Sequence, residues 1–284
     1  MKNNKQLKIT DLQLKTTQNN LFLVKNCVFL SLFSFFNWFL EIIKWKTLVT
    51  FIHKISFLTA TKQSLAALTT SLITPNRIGE YGAKALYFDK NIRKKILNLN
   101  LIGNLHQLFA TCLFGVFGLL YFLNTQPINL KKFNFFKLLI VVVLVIMSSF
   151  FLWKYLVKKQ TFLSDFKVGL NLQQHLKINL ISIARYLVFA HQFYFLLFIF
   201  KVDVSYVNAI SAIASIYFMS SFIPMLSLFD VVLKSSVALF VFGFFKSDAL
   251  TILTITTLMW ILNFVIPAIF GCYFVLTFKP NTAK

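Results

Sequence analysis

The chain has 284 residues, of which 58% are hydrophobic and only 13% charged, with a formal net charge of +21. Soluble domains carry about a quarter charged residues, so this composition excludes an ordinary soluble domain. The basic excess does not read as a nucleic-acid footprint. It is almost entirely lysine, the arginines being Arg77, Arg93 and Arg185, and the lysines fall at helix ends and in short loops, where they snorkel and attract anionic headgroups.

In chain order, residues 1–20 read as a polar N-terminal tail without the apolar core of a cleavable signal peptide. Residues 21–284 read as a single transmembrane domain. A first helix is expected over 21–49, then a shorter Ser/Thr-bearing segment over 56–73 that ends at Pro75. A polar motif segment follows to residue 88, and then a basic loop over 89–95. Spanning helices are expected over 97–123, 135–157 and 176–200. A second Ser-containing segment, 205–223, ends at Pro224 and continues to 245, and a last helix covers 249–278. The stretches 96–130, 204–229 and 249–278 have no charged residue, and each exceeds the roughly 20 residues that span a bilayer. The apolar runs are continuous rather than alternating, so the fold class is all-α, a polytopic helical membrane protein, and not a β-barrel. Cys27, Cys112 and Cys272 are isolated in apolar sequence, with neither metal-ligand spacing nor a disulfide framework.

The two halves echo each other. "SLITP" leads to Glu80 and Lys84, and "SSFIP" leads to Asp230 and Lys234, with the acid four residues before the lysine in both. This pattern reads as two inverted-repeat-like halves containing interrupted or re-entrant helices, the kind of break that marks binding sites near the bilayer midplane; chance similarity in an apolar chain is the alternative. Placing Lys44, Lys46, Lys54 and the basic loop on the cytoplasmic side satisfies most of the positive-inside rule but leaves the tail lysines outside.

Of eight carboxylates, Glu41, Glu80 and Asp230 lie inside apolar segments. A charge near the bilayer centre costs roughly 2.5–3.5 kcal/mol, so each is expected to face the bundle interior or water and to have a partner. Arg77, Glu80 and Lys84 fall on one helix face, and Asp230 with Lys234 repeats the i, i+4 pair. Gly79 and Gly82 are expected to admit a close neighbour. Pro75 frees amides at the next helix start, which together with Arg77 would suit a phosphate. Asn37, Glu41 and Lys44 share a face of the first helix, with Trp38 and Trp45 beside it as interfacial anchors, and Glu41 is expected to pair with a basic residue of the motif. In the second half Arg185 and Gln192 face the same way. An ion-paired knot that merely holds helices together is the competing reading. His106, His175 and His191 read as hydrogen-bonding residues rather than ligands. No metalloprotease, nucleophile-elbow or P-loop motif is present, so neither an enzyme nor a bound cofactor is expected.

"TPNRIGEYGAKAL" at 74–86 and "NWFLEIIKW" at 37–45 resemble the flippase-like integral membrane family related to the transmembrane region of lysylphosphatidylglycerol synthase. The resemblance covers about residues 30–275 and departs from the family pattern at Asp230, where a glutamate is usual. The family's aminoacyl-transferase domain has no counterpart in this sequence. The resemblance therefore implies a cell inner membrane protein that binds and moves an anionic phospholipid or lipid-linked glycan between leaflets, without the synthase chemistry. Glu41, Asn76, Arg77, Glu80 and Lys84 would form one half-site, and Arg185, Gln192, Asp230 and Lys234 the other. The alternatives are a membrane enzyme or accessory subunit acting on lipid-linked sugars, and a purely structural membrane protein.

Overall fold

Apolar sequence in lipid must satisfy its backbone N–H and C=O groups within each segment, which favours helices. In the computed structural model, which describes residues 21–74, 77–126 and 168–278, no strand forms among the described residues. The helices are α1 (Val24–Thr50), α2 (Phe57–Ser71), α3 (Ile78–Leu86), α4 (Arg93–Thr125), α5 (Leu172–Ile199), α6 (Tyr206–Ser221), α7 (Asp230–Gly243), α8 (Ala249–Trp260) and α9 (Ile266–Leu276). A 3-10 turn, Ser227–Phe229, leads into α7, and a π-helical stretch, Ile261–Val265, joins α8 to α9. The expected helix over 135–157, the tail 1–20 and Asn76 lie outside the described residues.

Among the described residues four helical stretches are long and apolar enough to cross a membrane: α1, α4, α5 and the continuous run Ala249–Leu276. At 1.5 Å per residue even the shortest of them, 27 residues, is about 40 Å long. The helices beside the two prolines are shorter. Those of 15 and 9 residues (α2, α3) and of 16 and 14 residues (α6, α7) measure about 14–24 Å, less than the roughly 30 Å of hydrocarbon.

Local chemistry sets the helix ends. The Ser56 hydroxyl accepts from the Thr59 amide to start α2, Asn171 and Gln174 form a reciprocal capping box at α5, and Asp248 caps α8 through the Thr251 amide. Gln126, the residue before Pro127, is extended at ψ 147° and ends α4, because a following proline disfavours helical geometry.

α1 packs along α5, α4 along α6, and α9 along α2. α2 folds back on α3, and α6 on α7; α3 then packs on α4, and α7 on α8. The α2–α9 contact is close because Gly271 has no side chain: a Cβ there would strike the Leu65 carbonyl and the Thr69 hydroxyl. Small residues at a helix interface give this close approach in membranes. The main core joins α4, α5, α6 and α7 through Phe122, Phe193, Leu196, Ile213 and Phe242. A second core under α1 and α4 holds Trp45, Leu48, Ile96 and Leu99.

Candidate functional site

α3 starts at a strained residue. Arg77, its N-cap, is left-handed at φ 59°, a conformation that costs a non-glycine residue about 1–2 kcal/mol. Two contacts fix it there. The Arg77 guanidinium Nη2 reaches Glu80 Oε2 at 2.9 Å, and the Gly79 amide donates to the Thr74 hydroxyl at 2.9 Å. Gly79 also lies against the Thr70 carbonyl, so that a Cβ has no room, and this lets α3 fold back closely on α2. Gly82 differs from expectation: nothing lies within 4 Å of its Cβ position.

Below Arg77 the motif turns inward. Glu80 Oε1 receives Lys84 Nζ at 2.8 Å, and the same ammonium donates to Asn100 Oδ1 of α4 at 2.8 Å. Lys84 also lies 4.3 Å from the centre of the Trp45 ring. The Trp45 indole N–H in turn donates to Gln63 of α2. The Glu80 and Lys84 side chains are only 3% and 2% exposed. A buried charge is tolerable only with its partners in place, and here both charges have them.

The face of α1 carries a second triad. Glu41 Oε2 is 2.7 Å from Lys44 Nζ, one turn on, and 2.7 Å from Arg185 Nη1 of α5. Glu41 was expected to pair with the motif; its ion-pair partners among the described residues are Lys44 and Arg185 instead. The cause is tertiary: α1 packs along α5, which brings the arginine to it. Arg185 is further held by Asn37 Oδ1 at 2.9 Å and Gln107 Oε1 at 3.3 Å. Trp38 and Trp45 are not interfacial anchors. Both are buried, with their N–H groups bonded inside the protein.

The π-helical stretch completes this side. Pro267 has no N–H, so the Asn263 carbonyl loses its usual partner four residues on. The Trp38 indole N–H supplies the missing donor at 3.0 Å, and the Ser34 hydroxyl donates to the neighbouring Leu262 carbonyl at 2.5 Å. The Asn263 side chain accepts from Asn37 at 2.8 Å and donates to Gln192 at 2.8 Å. Asn263 therefore ties α1, α5 and the last span together. π-helical turns of this kind are frequent at functional sites.

The second-half motif is a looser copy of the first. Lys234 Nζ is 2.6 Å from Asp230 Oδ2 at the start of α7, and 5.5 Å from the centre of the Tyr217 ring of α6. These side chains are 37% and 32% exposed, and among the described residues no arginine is ion-paired with Asp230 as Arg77 is with Glu80.

Both sets border one chamber of about 780 Å³. Arg77, Glu41 and Arg185 line it together with Asp230 and Lys234. Asn37, Asn104, Gln107 and Asn263 add amide groups, and Tyr81, Tyr217 and Trp260 add aromatic ones. Of the residues expected at the site, Glu80, Lys84 and Gln192 are instead buried in its supporting wall. Sequence reading missed Gln107, Asn104, Asn263 and Tyr217. The detectable signal was Asn263, an amide in a charge-free run four residues before a proline. His106 and His175 share a hydrogen bond at 3.0 Å between α4 and α5, and His191 shares one with the Tyr206 hydroxyl at 2.9 Å.

The volume falls within the 300–1,000 Å³ or so typical of small-molecule sites. Chemically, the wall offers two guanidinium forks suited to phosphate or carboxylate, amides suited to hydroxyl groups, and aromatic faces. Comparison with protein-family models, with curated proteins and with solved structures finds no match.

Proposed function

We propose that the chain is an inner-membrane lipid translocase of the flippase-like kind, which binds an anionic phospholipid or lipid-linked glycan headgroup in the chamber while the acyl chains stay in the bilayer. The observation that carries this reading is the meeting of Arg77, Glu41 and Arg185 with Asp230 and Lys234 around one chamber, in a chain whose described residues include four membrane-length helices. Charged groups inside a membrane bundle mark pathways for polar cargo.

The helix packing supports the inverted-repeat reading. When α1 is exchanged with α5, α2 with α6, α3 with α7 and α4 with the α8–α9 run, the α1–α5 contact maps onto itself and each other major helix contact onto a second one. The pairs α2–α3 and α6–α7, too short to cross, suit two re-entrant hairpins. The carboxylates Glu80 and Asp230 each hold a lysine at ion-pair distance, which suits binding better than proton transfer.

The test is reconstitution into vesicles holding a fluorescent phosphatidylglycerol, with dithionite added outside. Wild-type vesicles are expected to lose the signal of both leaflets. Arg77→Ala and Lys234→Ala, both at partly exposed positions, are expected to slow the loss by about tenfold, equivalent to about 1.4 kcal/mol. Wild-type rates in both variants would remove the chamber from the transport path. Loss confined to the outer leaflet in the wild type would remove the function.

A further inference from the structure

The charges around the chamber do not balance. Among the described residues Glu41 is ion-paired with two cations, Lys44 and Arg185, Glu80 with two more, Arg77 and Lys84, and Asp230 with Lys234. Five cations thus face three carboxylates, an excess of two positive charges among the described residues of the cluster. In a low-dielectric surrounding such an excess is unfavourable unless something negative completes it.

The unmatched hydrogen-bonding groups point the same way. Apart from Glu41 Oε2, which is taken up by its ion pairs with Lys44 and Arg185, the buried side-chain groups of the chamber-lining residues with no hydrogen-bond partner among the described residues are Arg77 Nε and Trp260 Nε1, and both are donors. A wall with spare donors and spare positive charge calls for a ligand made of acceptors. A phosphate oxygen cluster is acceptor-rich and matches a guanidinium fork.

Resting on the lipid-binding reading above, we infer that the chamber prefers a lipid headgroup with two negative charges on phosphate, a phosphomonoester or a diphosphate ester, over a singly charged phosphodiester. Each triad then contributes one net charge, and the bound headgroup neutralises both. A phosphodiester leaves one positive charge uncompensated. The neutral amides of Asn37, Asn104 and Gln107 remain for whatever hydroxyl-bearing group the phosphate carries.

The experiment titrates lipids into the detergent-solubilised full chain near neutral pH, following tryptophan fluorescence, since Trp260 borders the chamber. A phosphomonoester has its second ionisation at about 6, so it carries close to two charges there. The probes are phosphatidic acid, farnesyl diphosphate, phosphatidylglycerol, phosphatidylcholine and inorganic pyrophosphate. Phosphatidic acid, with one charge more than phosphatidylglycerol, and farnesyl diphosphate, whose terminal phosphate brings it close to three, are both expected to bind about tenfold more tightly than phosphatidylglycerol, the added charge acting at partial desolvation. Arg77→Gln removes one positive charge and leaves the Glu80–Lys84 pair in place, and it is expected to abolish that preference.

Equal affinity for phosphatidic acid and phosphatidylglycerol, both above phosphatidylcholine, would overturn the two-charge inference and leave the anionic-lipid reading standing. No preference over phosphatidylcholine would overturn both. Inorganic pyrophosphate binding as tightly as farnesyl diphosphate would overturn the lipid source in favour of a soluble anion.

Discussion

Lys84 shows what a single residue does in this protein. Its ammonium touches Glu80, Asn100 and the Trp45 ring, and its side chain is 2% exposed. Glu80→Gln leaves that ammonium without its counterion, and removing one member of a buried pair costs about 3–5 kcal/mol. The expected result is a large drop in the unfolding midpoint of the purified protein, largely recovered in Glu80→Gln/Lys84→Met, where no buried charge is stranded. Equal destabilisation by the single and double variants would mean that the pair is not what holds α3. The i, i+4 spacing made this pair, and the Asp230–Lys234 pair, legible in the sequence. The Glu41–Arg185 pair was not legible, because 144 positions separate its members and only the packing of α1 on α5 joins them.

At the scale of the element, the hairpin of α2 and α3 depends on one glycine and not on its neighbour. Gly79 packs against the Thr70 carbonyl, a backbone atom that cannot move aside, whereas Gly82 faces open space. Gly79→Ala is expected to destabilise by about 1–3 kcal/mol through overpacking. Gly82→Ala is expected to be neutral or to stabilise by up to about 1 kcal/mol, since alanine suits a helix interior better. Thermal unfolding of the two variants side by side separates them; equal effects would contradict the described hairpin contact. Residue type alone made both glycines look alike, because which side of a helix meets its partner depends on the turn before it. The last span teaches the same lesson. It read as a plain apolar helix, and the π-helical stretch appears only when Pro267 is considered together with the donors Trp38 and Ser34 on α1.

For the whole molecule, the apolar runs alone were enough to locate the four helical stretches of membrane-crossing length among the described residues, because length and hydropathy are local properties. The chamber was legible only as an expectation that the polar residues of two distant segments would meet. Its amide-lined wall belongs to α4 and the last span, whose polar residues are thinly spread through apolar sequence, so no local pattern announced it. The central claim is that this wall encloses water within the depth of the membrane. Its most direct test uses a chain with Cys27, Cys112 and Cys272 replaced by serine or alanine, carrying either Thr111→Cys on the chamber wall or Phe117→Cys on the outward face of α4. A charged methanethiosulfonate reagent needs a hydrated thiolate, so in proteoliposomes Thr111→Cys is expected to react about tenfold faster than Phe117→Cys, and more slowly once phosphatidic acid is present. A Thr111→Cys thiol as inert as that of Phe117→Cys, with or without lipid, would contradict the chamber.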